Sequence, residues 1–222
     1  MAAESSITAR ADALRSARPL GRTQAQRRQE AEERILRAAV GIISERGIDQ
    51  LTLAEAGEQA GYSRALPAHY FGSREDLIVA VADHLVQGYR RRILTGPPGG
   101  VGRGLEGLIA GVAYYIDDNR QNLTRLRAFH EVLNAALNRP SVTPAIAQLD
   151  RDSAEGFSRS IQAAMRRGEV RPDLNPRAEG VLLLATLRGV MRQWMIAPER
   201  VDLDELKAEL IAGLRRNWSP SP

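Results

Sequence analysis

The sequence predicts an all-α protein of about nine helices, arranged in two parts. Apolar residues recur at intervals of three and four along most of the 222-residue chain, which is the period of a helix with one buried face. No stretch shows the sustained alternation of apolar and polar residues that a half-buried strand requires. Caps, glycines and prolines divide the periodic segments, and the length suits a small domain packed on a larger one.

The composition argues against several kinds of site and location. The chain has no cysteine and only three histidines, His69, His84 and His130, so we expect no disulfide, no bound metal and no cofactor. No apolar run approaches the roughly 20 residues of a membrane-spanning helix. The first residues also lack the pattern of a secretory signal. We therefore expect a cytoplasmic protein that does not enter a membrane.

The formal net charge of +4 is concentrated near the N-terminus. Residues 1–28 contain six arginines against Glu4 and Asp12, so this segment accounts for the whole excess. We interpret residues 1–24 as a flexible basic arm. Such an arm either contacts nucleic acid, because each neutralised phosphate releases counterions, or remains a solvated tail.

The first two helices are defined by apolar spacing and by their caps. Apolar residues recur at helical spacing over 25–46 and stop at Gly47, a residue suited to the turn after a helix. The second helix is predicted over 53–61. Thr52 precedes it and Glu55 follows three positions later, which is the pattern of a capping box.

A third short helix is predicted from Ser63, as its N-cap, through Phe71. Pro67 falls inside this segment and removes one backbone donor, so we expect a slight local distortion. Small residues in the preceding helix permit a close approach of the two helices: Ala56, Gly57 and Ala60. A capped helix, a short turn and a second helix within residues 52–71 have the layout of a helix-turn-helix.

Six further helices are predicted in the rest of the chain. Ser73 and Asp76 cap the first of them, and the sequence GPPGG at 96–100 breaks the chain after it. The helix at 177–196 is apolar around most of its circumference, so it must be buried on more than one side and is a candidate for a subunit contact. The six segments are 73–94, 105–116, 123–137, 142–168, 177–196 and 203–218.

Residues 52–81, TLAEAGEQAGYSRALPAHYFGSREDLIVAV, resemble the DNA-binding signature of TetR-type bacterial repressors, continuing into their fourth helix. The resemblance is clear over about residues 30–90. It implies a three-helix, helix-turn-helix DNA-binding domain, which we place at 25–72, and a larger helical effector-binding and dimerisation domain at 73–222. It also implies a homodimer, which we expect to pair through the last two helices. Such a dimer binds a palindromic operator in double-stranded DNA and releases it when a small molecule enters the C-terminal domain.

Eight residues are predicted to contact DNA. Arg64 is placed either to read a guanine, a contact worth about 1 to 3 kcal/mol, or to bind a phosphate. Leu66 is placed to meet a thymine methyl group. Thr52 either binds a phosphate through its hydroxyl or only caps its helix. The eight residues are Thr52, Ser63, Arg64, Ala65, Leu66, His69, Tyr70 and Arg74.

The motif departs from the family pattern at Leu66-Pro67-Ala68, where many relatives carry a tyrosine that touches phosphate. We therefore assign the phosphate contact to His69, Tyr70 and Arg74. The alternative for His69 and Tyr70 is packing at the junction with the fourth helix.

The ligand site is predicted between the C-terminal helices, where such pockets are mostly apolar. A largely apolar effector would contact Tyr115, Leu126, Phe129, His130, Leu133, Leu187, Met191 and Trp194. The alternative for each of these residues is ordinary packing in the core or at the dimer contact. The helix at 73–94 is expected to tilt when the ligand binds and so to change the spacing of the two reading heads.

These observations favour a transcriptional regulator, and a repressor in particular. An enzyme is not expected, because the sequence has no nucleophile elbow, no phosphate-cradling glycine loop and no HExxH pair. A DNA-binding protein without an effector remains the alternative, since the apolar helices could form a solid core. A helical interaction module would show no salt-dependent binding to DNA.

Overall fold

The computed structural model describes residues 23–94 and 102–220, and within these ranges it contains nine α-helices and no strand. This confirms the predicted all-α fold. Residues 1–22 of the predicted arm and the GPPGG segment lie outside the described residues, whereas Thr23 and Gln24, which the arm was predicted to include, are the N-cap and the first residue of the first helix. The helices are α1 Gln24–Arg46, α2 Leu53–Gln59, α3 Leu66–Phe71, α4 Arg74–Tyr89, α5 Gly104–Gln121, α6 Leu123–Ala135, α7 Thr143–Arg166, α8 Pro176–Ile196 and α9 Leu203–Trp218.

Several helix ends are fixed by the caps that the sequence indicated. The Ser73 hydroxyl accepts from the Asp76 backbone N–H, and the Asp76 carboxylate accepts from the Ser73 N–H, so α4 begins with a complete capping box. The second helix has only half of the predicted box. Thr52 accepts from the Glu55 N–H at 3.2 Å, but the Glu55 carboxylate accepts from the side chain of Arg46 instead. The Glu55 side chain therefore ties α2 to the end of α1.

The N-terminal helices share one continuous core with the rest of the chain. Ile35 and Ile42 of α1 are fully buried, as are Leu77 and Ile78 of α4. The α1 helix also packs along α6, a helix of the C-terminal part. Because no solvent layer separates the two parts, a shift in the C-terminal helices can reach the N-terminal ones through packed side chains.

The longest helix pair of the C-terminal part is α7 with α8. A methyl group on Gly180 would lie only 2.5 Å from the carbonyl oxygen of Ala154, so the two helices approach closely because α8 has no side chain at that point. The last helix lies on α5 and is held by three ion pairs that link the two: Arg120–Asp204, Lys207–Asp117 and Arg215–Glu106.

The turn after α7 is tied back to the start of α5. The Leu105 backbone N–H donates to the Glu169 carboxylate at 2.9 Å, and Arg167 contacts the same carboxylate at 2.6 Å. The backbone hydrogen bond, followed by that of Arg167, keeps the pKa of Glu169 below its ordinary value. A side chain distant in sequence therefore caps α5, whose own N-cap residue provides no side-chain bond.

None of the helices within the described ranges has the length and apolar character needed to span a membrane.

Candidate nucleic-acid interface and ligand cavity

The α3 helix begins later than the sequence predicts, and the reason is Pro67. The N-cap is Ala65, and the Ser63 backbone oxygen accepts from the Leu66 N–H at 3.2 Å. The prediction that the Ser63 side chain caps this helix was therefore wrong. Starting at Leu66 places Pro67 at the second helical position, where a missing N–H leaves no intrahelical bond unmade.

The turn between α2 and α3 is held by close packing of Gly57 against Pro67. A methyl group on Gly57 would lie 2.6 Å from the Ser63 carbonyl oxygen and 3.0 Å from Pro67 Cδ. Pro67 is buried in this contact. Gly57, one of the small residues noted in the sequence, thus sets the distance between α2 and α3.

One side of α3 and of the preceding turn faces solvent. Ser63, Arg64, Ala65 and His69 are exposed, whereas Leu66 is half-buried against the core. The Arg64 guanidinium lies 3.1 Å from the Glu58 carboxylate, with 72% of its side chain exposed. An ion pair this exposed contributes less than about 1 kcal/mol, so Arg64 can exchange Glu58 for another partner at small cost.

Tyr70 is placed differently from its neighbour His69. Its ring is half-buried, and the guanidinium carbon of Arg28 lies 5.4 Å from the ring centroid. The rings of His69 and Tyr70 are 5.5 Å apart. Tyr70 therefore packs against α1 through a cation–π interaction, rather than only at the predicted junction with the fourth helix, while His69 remains open to solvent. Thr52 is also exposed, and its hydroxyl caps α2.

The Arg74 guanidinium is hydrogen-bonded to the backbone of the turn before α2. Its guanidinium donates to the carbonyl oxygens of Leu51 at 2.6 Å, Ile48 at 3.0 Å and Asp49 at 2.8 Å. These bonds use Nε and Nη2, and the Nη1 group donates in none of them, so the phosphate contact stays a prediction. Arg74 thus fixes the turn before α2 to the start of α4, a role the sequence could not reveal because its partners are backbone atoms more than 20 positions away.

A second arginine links the loop after α6 to the N-terminal domain. Arg139 donates to Glu75 at 2.7 Å and to Asp49 at 2.8 Å. The Ser141 hydroxyl donates to the other oxygen of Glu75 at 2.5 Å. This bond and the nearby Arg139 charge keep the pKa of Glu75 below its ordinary value. We call the set Arg139, Ser141, Glu75 and Asp49 the interdomain latch.

The eight predicted ligand residues form packed core. Leu133 and Trp194 are half-buried, and the other six are buried. Tyr89, which sequence reasoning missed, stacks on Phe129 with ring centroids 5.3 Å apart and meets Tyr115 edge-on at 6.3 Å. Leu126 and Phe129 line only a void of about 10 Å³. The alternative of ordinary packing describes these residues as they stand.

The larger cavity lies between α7 and α8 and has a volume of about 710 Å³. That is the size of many small-molecule sites. Its walls combine apolar and charged side chains, and none of the eight predicted residues lines it. Sequence reasoning did not indicate this cavity, because its polar residues follow the pattern of a solvated helix face. The lining residues are Asp150, Arg151, Ala154, Glu155, Ser158, Gln162, Arg177, Val181, Leu184, Ala185 and Arg188.

Arg188, which lines this cavity, lies near two buried titratable groups, His130 and Tyr89. Arg188 pairs with Asp150 at 2.6 Å, and its side chain is only 16% exposed. Burial, followed by the nearby charges of Arg188 and Arg192, lowers the pKa of His130 to about 4. Burial also raises the pKa of Tyr89 to about 12. His130 is therefore neutral and Tyr89 protonated at neutral pH.

A short exposed helix after a tight turn, carried on a large helical domain, defines the class of helix-turn-helix DNA-binding regulators. Comparison with known proteins gives the family. The model of bacterial regulatory proteins of the tetR family matches residues 35–81. The model of the C-terminal domain of BetI-type transcriptional repressors matches residues 105–218, half of the chain. The chain belongs to the TetR family of transcriptional regulators.

Two relatives support this assignment. The chain is 25% identical over 187 residues to the transcriptional regulator TtgR of Pseudomonas putida, covering 79% of this chain and 85% of TtgR. It is 40% identical over 53 residues to the transcriptional regulator BetI of Brucella anthropi, covering 24% of this chain and 27% of BetI. The higher identity is confined to a short segment.

Solved structures share the fold over nearly the whole chain. A transcriptional regulator from Saccharomonospora viridis, solved in complex with choline, has a TM-score of 0.77 at 17% identity, covering 87% of this chain and 100% of that one. A TetR regulator from Chloroflexus aurantiacus has a TM-score of 0.75 at 19% identity, covering 88% of this chain and 99% of that one.

Proposed function

We propose that this TetR-family regulator is a homodimeric repressor that binds a palindromic operator and is released from it by a small molecule. The observation that carries the proposal is the exposed side of α3, where Arg64, Ala65 and His69 face solvent on a helix fixed from behind by Pro67. A reading surface must be exposed and rigidly positioned at once, because base contacts depend on fixed geometry.

Arg64 is the residue that we assign to base reading. It lies in the turn immediately before α3, at the end of the motif that enters the major groove first. A bidentate contact to guanine is worth about 1 to 3 kcal/mol, which exceeds the cost of leaving the exposed Glu58. His69 and the Thr52 hydroxyl are assigned to phosphates, which position the helix without reading sequence.

The exposed apolar stripe on α8 supports a homodimer. Val181 is 53% exposed, Leu182 58% and Ile196 73%. With Ala185 and Gly189 they occupy one side of the helix, about 100° wide at helical spacing. The last helix buries its own apolar residues Leu203, Leu214 and Trp218 within the chain. We therefore propose that α8 contributes most of the apolar contact and that α9 flanks it.

We assign the coupling between the effector site and the DNA-binding helices to α4 and the interdomain latch. The α4 helix has 16 residues and is about 24 Å long. Arg74 fixes its start to the N-terminal domain, and Arg90, just after its end, pairs at 2.5 Å with Asp152 of α7. Since α7 forms one wall of the 710 Å³ cavity, a ligand that moves α7 would pull on the far end of α4.

A small-molecule effector is supported by the volume and position of this cavity. One structural relative was solved in complex with choline, and release by a ligand requires only that the ligand prefer the state that does not bind DNA. Because the centre of the domain is packed, the α7–α8 cavity is our candidate for the effector site. Val181 and Ala185 belong both to its lining and to the exposed stripe of α8, so a ligand there would lie at the proposed dimer contact.

The DNA-binding claim is tested by selecting genomic fragments with purified protein and footprinting the selected sites at fixed, near-physiological salt. We expect a protected imperfect palindrome. Arg64→Ala should weaken binding by about 10- to 100-fold, the loss of one guanine contact. Arg200→Ala removes the same charge from the exposed loop before α9 and should leave the affinity nearly unchanged.

A footprint that is absent, or that weakens equally in the two variants, contradicts the proposal. Tyr70 is not a suitable substitution for this test, because its contact with Arg28 would make a loss of folding indistinguishable from a loss of binding.

The dimer contact is tested by sedimentation of Leu182→Asp beside Leu137→Asp. Leu137 is 81% exposed and lies after α6, outside the α8 stripe. A charge in an apolar contact costs several kcal/mol if it stays unpaired, so Leu182→Asp should be monomeric and Leu137→Asp dimeric. Dimers in both variants would place the contact elsewhere.

A further inference from the structure

A second cavity, of about 590 Å³, lies where α1 and α4 meet the turn between α5 and α6. The α1 helix contributes Arg37 and Val40 to its walls, α4 contributes His84 and Leu85, and the turn contributes residues 121–125. We call this space the junction cavity. Among the described residues, its lining shares no member with α3, with the exposed stripe of α8 or with the α7–α8 cavity. The junction cavity is therefore separate from the proposed reading surface, dimer contact and effector site.

The junction cavity carries an excess of positive charge. Arg37 and Arg125 line it, and its described lining includes no carboxylate. Arg37 is exposed and forms no ion pair with the described part of the chain. Arg125 shares the Asp118 carboxylate with Arg92, at 3.3 Å and 3.2 Å. Two guanidiniums therefore have one anionic partner between them, and a third has none.

The ionisable groups of the junction cavity respond to this charge. Burial, followed by the charge of Arg91, keeps the pKa of His84 below its ordinary value despite the nearby Glu33 carboxylate. Burial, followed by the charge of Arg92, lowers the pKa of Arg125 to about 10. In both cases the neighbouring arginine opposes a further positive charge, as it would also oppose a cationic ligand. The same potential favours an anion.

The start of α6 adds backbone donors to the arginines. The Asn122 side chain donates to the Asp118 carbonyl oxygen at 2.8 Å, and no side chain caps α6. The first N–H groups of a helix have no partner within it, and they are suited to bind an anion. Leu123 and Thr124, the first two residues of α6, line the cavity. The cavity thus combines charged side chains with an uncapped helical turn.

We propose that the junction cavity binds the phosphoryl group of a small organic phosphate between Arg37 and Arg125. One guanidinium can pair with both oxygens of a carboxylate, whereas the three terminal oxygens of a phosphate monoester accept from two guanidiniums and from backbone N–H groups. The organic part lies along Val40 and Leu85, the buried apolar residues of the lining. Because the phosphoryl group joins α1 to α6, its binding restrains the helix that precedes the reading motif.

The test uses three probes that share one benzene ring: phenyl phosphate, benzoate and benzamide. Binding to the full chain without DNA is measured by titration calorimetry at fixed salt and about pH 7.5, where a phosphate monoester carries nearly two negative charges. We expect phenyl phosphate to bind at least about tenfold more tightly than benzamide, and also more tightly than benzoate. Undetectable binding of phenyl phosphate overturns the proposal, as does equal or tighter binding of either other probe.

Three substitutions locate the site. Arg37→Gln and Arg125→Gln should each weaken the binding of phenyl phosphate by about tenfold or more, the loss of one charged hydrogen-bond donor. Arg127→Gln is the matched control, because Arg127 is an exposed arginine of the same helix α6 that does not line the cavity. It should leave the affinity unchanged. The arginines within residues 1–28 remain in every variant, so binding to them would be an affinity that none of the three substitutions lowers.

Arg37 is exposed and unpaired within the described residues, so Arg37→Gln should fold even if Arg125→Gln does not. Equal affinities of Arg37→Gln and Arg127→Gln for phenyl phosphate contradict the assignment. Amide hydrogen exchange provides a second measurement. Phenyl phosphate should slow exchange in the first turn of α6 and leave α8 unchanged, and slowing confined to other helices would place the anion elsewhere.

Discussion

The contact between Gly57 and Ser63 leads to a prediction about the geometry of the reading head. In Gly57→Ala the added methyl carbon would lie 2.6 Å from the Ser63 carbonyl oxygen, whereas ordinary contact begins at 3.4 Å. The carbonyl must therefore recede by about 0.8 Å. It belongs to the backbone of the turn, so no flexible side chain can absorb the movement, and the displacement passes directly to Arg64.

Two energies oppose each other in this variant. Alanine is favoured over glycine inside a helix by about 1 kcal/mol, while overpacking a fitted contact costs about 1 to 3 kcal/mol. We therefore expect a net destabilisation of about 1 kcal/mol. The effect on DNA should be larger, because displacing Arg64 removes a contact worth about 1 to 3 kcal/mol, or about 10- to 100-fold in affinity.

The assay combines urea unfolding with operator affinity at one salt concentration. Gly41→Ala is the matched control, since Gly41 lies inside α1 and an added methyl group there would meet nothing within 4 Å. We expect Gly41→Ala to raise the unfolding midpoint slightly and to leave the affinity unchanged. If Gly57→Ala behaves like Gly41→Ala in both measurements, the reasoning about the turn is wrong.

Three further predictions concern the C-terminal domain. Lowering the pH from about 6.5 to about 4 should reduce the free energy of unfolding by up to about 3 kcal/mol through His130. The reason is that the unfolded chain binds a proton that the buried ring, with a pKa of about 4, does not bind. Urea unfolding of His130→Gln should show a flatter pH dependence, and a pH dependence identical to that of the wild type would exclude this cause. Gly180→Ala should lower the stability by about 1 to 3 kcal/mol, since its methyl group would lie 2.5 Å from the Ala154 carbonyl oxygen. A melting temperature at or above that of the wild type would contradict the close approach of α7 and α8. Glu169→Gln should lower the melting temperature because the start of α5 loses its charged cap, and an unchanged melt would mean that the cap contributes nothing.

Features that depend on neighbours in the chain were predictable. The helix at 203–218 has the predicted bounds, and the Ser73–Asp76 capping box is present in full. Both rest on residues three or four positions apart, whose interactions are set by the helix itself. The helix-turn-helix motif is local in the same sense, because its turn, small residues and caps fall within 20 consecutive positions.

Features that depend on which distant atoms meet were not predictable. The backbone contacts of Arg74 arise because the fold brings the carbonyls of Ile48 and Leu51 to its guanidinium. The expected pocket around Phe129 is filled, since Tyr89 arrives from another helix and stacks on it at 5.3 Å. An apolar helix face is the same in sequence whether it lines a cavity or packs a core.

The sequence by itself therefore determined the helical class, the position of the reading motif and the family, because helix periodicity and capping act over a few residues. The tertiary structure decided that α3 starts after Ala65 without a side-chain cap from Ser63. It also decided that α8 keeps an exposed apolar stripe and that the cavity lies between α7 and α8 beside Arg188. The physical reason is that close packing and the pairing of buried charges depend on the distances between helices, which periodicity along one helix does not specify.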